Sequence, residues 1–342
     1  MDRRLDYIDT AKGIGIIMVV INHHLLGAEF VNSWISSFHM PLFFMITGYL
    51  YGFRNDFSKP NRTFLIQKMK GLLFPYFTLS LVVIIWNVLF YHVLFPSLTP
   101  ENTVLETFLL TVSTYGYHAL WFVPCLFYSS VIFFLLRKYR IHHLILILLA
   151  AFLVVFSIIP QAAVFSFYPI RFFVRIIIGL IFIYLGYLSF GLLSKMSRIG
   201  EVALLLITGL VFVLSLAGYY LFPDIFPLIN IGVCRISAPV LYLFLALSNV
   251  TFILLLSKFI SNPVLNFFGR NSIIIMAFHM DVTIEVAWLL EGRIPWRFGA
   301  PVESAIVILI ELAMLAVMIA VINKWIPFLY QYKKLPFLKQ SK

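Results

Sequence analysis

The chain has 342 residues, of which 62% are hydrophobic and only 11% charged, and its mean hydropathy is +1.00. A soluble domain carries about 25% charged residues, so the composition excludes an ordinary water-soluble enzyme. The formal net charge of +11 invites a nucleic-acid partner, but the placement of the cations along the chain argues for a different cause.

Runs of about 20 predominantly apolar residues cross a bilayer as helices. Ten such runs occur here, at 13–30, 38–53, 72–95, 118–136, 143–160, 171–193, 201–222, 236–257, 271–290 and 303–326. The polar segments between them leave no room for a separate soluble domain, so residues 1–342 read as one integral-membrane domain. The expected fold class is all-α, a polytopic bundle of about ten transmembrane helices with both termini cytoplasmic. In that topology Arg171, Arg175, Arg235, Arg293 and Arg297 lie outside, and the other twenty of the 25 Lys and Arg lie inside. Such a bias is what the positive-inside rule predicts, so the basic charge records orientation, and no nucleic-acid partner is expected. The N-terminal "MDRRLDYIDTAKG" carries Asp2, Asp6 and Asp9, and no small-x-small cleavage site follows, which reads as an uncleaved first span. Cys125 and Cys234 show no metal-ligand spacing, and no disulfide is expected from them.

Ionisable groups within a span cost about 2.5–3.5 kcal/mol each on insertion scales, so their positions are informative. In the first span His23 lies eleven residues beyond Lys12, about 16 Å along a helix and on nearly the same face, at or past mid-membrane. Its neighbours are Asn22 and His24, and His24 is turned about 100° away. Glu29 falls near the outer end of that span, and His39 opens the second. Residues 54–70, "RNDFSKPNRTFLIQKMK", read as a cytoplasmic loop with Arg54, Lys59, Arg62, Lys68 and Lys70. Positive-inside bias alone accounts for them, and a phosphate-rich ligand would suit them equally. His118 and Trp121 open the fourth span, Arg171 and Arg175 share a face at the start of the sixth, and Arg235 opens the eighth. The ninth runs from Arg270 to His279, Asp281 and Glu285. The intramembrane polarity thus gathers in the outer half, as if around a polar pocket. Plainer roles fit too: interface anchoring for the two arginines and His118, interhelical ion pairs for the two acids, and structural hydrogen bonds for His39 and His279.

The stretch "IDTAKGIGIIMVVINHH", a basic residue and a histidine with ten residues between, resembles the motif of the membrane acyltransferase-3 family. "ISSFHMPLFFMITGYLYGF", "KMKGLLFPYF", "HALWFVPCLF" and "GRNSIIIMAFHM" follow in the expected order and look most like its fucose 4-O-acetylase-like branch. Many members carry Arg where this chain has Lys12, which keeps the charge and loses the bidentate fork. The resemblance implies a multi-pass enzyme of the inner or plasma membrane. It would move an acyl group, usually acetyl, from cytoplasmic acyl-CoA to a hydroxyl of an extracytoplasmic or cell-surface glycan. It also implies that His23 is the catalytic base and Lys12 the motif's basic residue. On that footing Arg54, Arg62, Lys68 and Lys70 are candidates for acetyl-CoA, and His39, Asn22 and Trp121 for oxyanion donors. His118, Arg171, Arg175, His279, Asp281 and Glu285 join Asn22 and Trp121 as candidate acceptor-binding residues, and no metal is required. The rival reading is a transporter or flippase for a sugar or lipid-linked glycan, which a polar outer cavity would also serve, although no inverted repeat is evident.

Overall fold

The computed structural model describes residues 5–23, 29–91, 103–159, 167–290 and 300–334. In chain order the helices are α1 (Asp6–Asn22), α2 (Glu29–Ser36), α3 (His39–Arg54), α4 (Asn61–Leu89), α5 (Val104–Val112), α6 (His118–Lys138) and α7 (Leu144–Ile158). They continue as α8 (Tyr168–Leu193), α9 (Arg198–Leu221), α10 (Pro239–Ser257), α11 (Pro263–Arg270), α12 (Ser272–Leu290) and α13 (Ala300–Trp325). Between α9 and α10 a small antiparallel hairpin pairs β1 (Ile229–Asn230) with β2 (Arg235–Ile236).

Long apolar runs become helices because a helix satisfies its own backbone where no water is present. Polar signals mark their ends. Pro239 and Pro263 begin α10 and α11, where the missing N–H costs nothing. Ser197 and Asn262 cap α9 and α11 by accepting from Gly200 and Leu265 N–H groups. At the start of α5, Thr103 and Glu106 form a reciprocal capping box, whose hydrogen bonds hold the Glu106 carboxyl below its ordinary pKa.

Among the described residues six helices, α4, α6, α8, α9, α10 and α13, are long and apolar enough to cross a membrane, and Leu144–Ile158 and Ser272–Thr283 are shorter apolar helices. Helix α9 shows why lipid is needed: Leu206, Ile207, Leu210, Val213 and Leu214 are 57–67% exposed. A continuous apolar face of this kind belongs against acyl chains rather than water.

Two expected boundaries are corrected. The stretch 13–30 is not one helix, since α1 starts at Asp6, stops at Asn22 with His23 as its C-cap, and Glu29 begins the separate α2. The charged first turns of α1 are accommodated because Arg270 of α11 donates to Asp6 and Asp9, each at 3.0 Å. Residues 61–70, read as part of a loop, are instead the first turns of α4, which carries a π-helical turn at Met69–Leu73. His24 lies outside the described residues.

Helix α3 forms the centre, with His39 to Ile46 buried throughout. It crosses α8 where glycine faces backbone on both sides: a Cβ on Gly48 would overlap the Ile183 carbonyl, and one on Gly186 the Met45 carbonyl. Small residues of this kind let membrane helices approach closely enough for dispersion to hold them. Gly186→Ala is expected to lower stability by about 1–3 kcal/mol through overpacking, despite the better helix propensity of alanine. Gly191→Ala, on the same helix but facing open space, is expected to leave it unchanged. Thermal unfolding of the two purified variants in detergent checks the difference.

Candidate active site

Helix α1 ends inside the bundle, and its C-cap, His23, donates its backbone N–H to the Val20 carbonyl at 3.1 Å. The exposed His23 side chain lines a pocket of about 180 Å³. Val19 and Asn22 of α1, His39 at the start of α3 and His118 and Trp121 at the start of α6 share that lining, together with the Asn230–Gly232 turn and Met276 and Met280 of α12. The pocket therefore assembles Asn22, His23, His39, His118 and Trp121 from three parts of the chain. His279 stands behind it, fully buried, with its ring centroid 5.1 Å from that of His23 and tilted by 50°.

The histidines differ in what they can do. His39 Nδ1 donates to the Ile35 carbonyl at 2.8 Å, and His279 Nδ1 donates to the Ile275 carbonyl at 2.9 Å. A neutral imidazole has one N–H, so each ring turns an unprotonated Nε2 elsewhere. As a neutral ring His39 has its one N–H committed to the Ile35 carbonyl and offers Nε2 as an acceptor. His279 Nε2 is buried with no hydrogen-bond partner. His118 adopts a left-handed φ of +45° and stacks on Tyr117 at 3.8 Å. For a non-glycine residue that backbone costs on the order of 1–3 kcal/mol and is retained where surroundings enforce it. The Asn22 Oδ1 is buried without a partner, a ready acceptor for a hydroxyl.

Arg175 is buried behind this wall, not in it. Its Nε donates to the Gly232 carbonyl at 2.8 Å and a second guanidinium nitrogen reaches the same oxygen. Its plane lies 4.5 Å from the Tyr115 ring and 4.7 Å from Trp121. One fork thus braces two pocket-lining pieces, the Gly232 turn and Trp121. Arg171 instead stacks on Tyr168 at 5.4 Å, and neither arginine lines the pocket. Cys234 donates to the Arg171 carbonyl, and burial pushes its thiol up to about 12, so it stays protonated. Asp281 is buried on α12 outside the pocket lining, and the Glu285 side chain lies outside the described residues.

A second cavity, about 650 Å³, opens at the Lys12 end of α1. Lys12, Arg54, Lys59, Lys68 and Arg270 line it, against Asp9 and Asp56. Lys68 Nζ sits 4.6 Å over the Tyr51 ring and 5.5 Å over Phe64. Arg62 and Lys70 do not line it; both are exposed, and Lys70 lies 4.3 Å over the Tyr332 ring. The helical character of 61–70 explains the split. Phe64, Gln67, Lys68, Gly71 and Leu72 recur at helical spacing on the cavity face, which turns 62 and 70 away. Met276 lines both spaces, and the adjacent Trp121 and Phe122 line one each.

Residues 5–322 match the acyltransferase-3 family model, described as an acyltransferase domain. The chain belongs to that family. No curated protein and no solved structure matches it. The protein is thus a membrane acyltransferase, a family consistent with an acyl donor, and six membrane-length helices agree with a multi-pass protein. Among the described residues no group of three or more His, Cys, Asp or Glu has a metal-holding arrangement.

One polar group of the acyltransferase escaped sequence reading. Glu311 of α13 is fully buried and accepts from Thr283 Oγ1 at 3.0 Å, one turn beyond His279. A lone acid in "VILIELAML" was the available signal, since intramembrane carboxylates are costly. The bracing role of Arg175 gives a direct expectation. Arg175→Lys keeps the charge and loses the fork, so acyl transfer falls roughly tenfold while apparent donor affinity holds. Initial rates at varied donor concentration separate the two.

Proposed function

We propose that the acyltransferase carries an acetyl or similar acyl group from cytoplasmic acyl-CoA to a hydroxyl of an extracytoplasmic or cell-surface glycan. His23 is the general base. The observation that carries the reading is the back-to-back arrangement of a basic cavity and a histidine pocket along α1, with Met276 as common wall. Phosphates of a CoA donor match the cations of the larger cavity, with Lys12, Arg54 and Lys68 as the nearest candidates. A sugar fits the smaller pocket, where Asn22, His118 and Trp121 offer polar and stacking contacts. The topology in this reading has ten spans and cytoplasmic termini in the inner or plasma membrane, which puts the basic cavity inside and the histidine pocket outside. Positive-inside bias supports that orientation.

In the reaction His23 removes the proton as the sugar oxygen attacks the thioester carbonyl. The C–S bond then breaks, and the thiolate of CoA takes up the proton. Neutral imidazole suits proton removal near neutral pH. Asn22 and the Trp121 indole N–H remain as oxyanion donors, because neutral His39 has no second proton to give. His279, close behind His23, is suited to orient it by accepting from its ring. The likeness of the motif blocks to the fucose 4-O-acetylase-like branch supports a sugar acceptor.

The test is labelled acetyl-CoA given to purified protein with candidate glycans, read as kcat and KM. His23→Ala is expected to lower kcat about 10²–10⁴-fold, the usual contribution of a general base. Lys68→Ala should raise the donor KM, whereas Arg62→Ala should leave it alone. Undiminished transfer in the His23 variant would overturn the assignment.

A further inference from the structure

A third cavity, about 550 Å³, lies between the ends of α3, α6 and α8 and shares Tyr51 with the basic cavity. Four cations line it, Arg137, Lys138, Arg140 and Lys195, and no acidic residue does. Positive-inside bias explains why such residues sit in short loops, but not why three helix ends gather them around one concave space. Two of the four are engaged. Arg137 donates to the Tyr187 hydroxyl at 3.1 and 3.3 Å and lies 5.7 Å over the Phe57 ring. Lys138 donates to the Lys59 carbonyl at 2.7 Å. Arg140 and Lys195 make no side-chain hydrogen bond or ion pair with the described residues. Arg140 also holds φ at +61°, in the helix-terminating position that glycine or asparagine ordinarily takes. A costly backbone thus presents a cation at the rim.

One side of the wall is of a different kind. Leu188, Phe190 and Gly191 of α8 carry it toward the apolar flank of the bundle, where Leu188 is 41% and Leu192 70% exposed. A Cβ on Gly191 would meet nothing, so this side is open. Cations without acids above and an open apolar flank beside them match a molecule with a phosphate at one end and acyl chains at the other. Basic pockets between membrane helices at the interface hold anionic headgroups in this way. We infer that this cavity binds the phosphate headgroup of an anionic phospholipid, whose chains run along the α8 flank. None of its four cations is among those assigned to the acyl donor.

The test uses the full chain in detergent and native mass spectrometry, with dioleoylphosphatidylglycerol and dioleoylphosphatidylcholine as the added lipids. Wild type retains the phosphatidylglycerol in preference to the phosphatidylcholine. Arg140→Gln and Lys195→Gln each lower that retention roughly fivefold, in line with the worth of one cation near an anionic headgroup. Lys195→Arg restores it, and Lys324→Gln, which removes a cation elsewhere, leaves it unchanged. Equal retention of the two lipids, or unchanged retention in the Arg140 and Lys195 variants, overturns the inference. Displacement of bound phosphatidylglycerol by free CoA or glycerol phosphate also overturns it, because the site would then serve a soluble phosphate. A matched thermal unfolding midpoint for each variant shows that folding is intact.

Discussion

Helix α1 is fixed at one end and cut short at the other, and the site depends on both facts. At its start Arg270 reaches Asp6 and Asp9, and Gly13 and Gly269 allow the backbones of α1 and α11 to touch. Of these three charged residues only Asp9 is buried, and a buried charge is tolerable when paired, so the Arg270–Asp9 contact ties the start of α1 to α11. Eleven residues beyond Lys12 the helix ends, which leaves His23 as a cap and not as a ring among packed side chains. A continued helix would carry the histidine within a lipid-length span. The termination places it instead at a polar pocket, with Lys12 still in the basic cavity below.

The two spaces divide the chemical problem. One is wide and cationic, and the other is small and lined by imidazole, indole and amide groups. Met276 and the Trp121–Phe122 pair separate them with apolar bulk that has few rotamer constraints at the methionine. Arg175 holds the far wall through a carbonyl and an aromatic face, so the small pocket rests on a guanidinium that never enters it. The half-buried Thr283 and the fully buried Glu311 add polarity one turn beyond His279.

Much of this was legible in the sequence because membranes punish misplaced polarity. The described parts of the apolar stretches fall mainly on helices, although 13–30 is divided between α1 and α2, and Asn22, His23, His39, His118 and Trp121 line one pocket. Less legible was anything that depended on local backbone. The break after Asn22 lies in a stretch long enough to read as one span, and no proline or glycine at 22 or 23 announces it. The first turns of α4 read as loop because their cations outweighed a helical repeat that only the packed cavity face makes visible. That is why Arg62 and Lys70 were grouped with Arg54 and Lys68. Arg175 was read as a substrate contact because its charge is apparent from sequence, whereas the carbonyl it satisfies belongs to a turn 57 residues away.

The central claim is that donor and acceptor meet across the membrane at His23. Sealed proteoliposomes with acetyl-CoA trapped inside and an impermeant glycan acceptor outside test it most directly. The account predicts acetylated glycan outside with free CoA retained in the lumen. Transfer that occurs only when donor and acceptor share one side would contradict it.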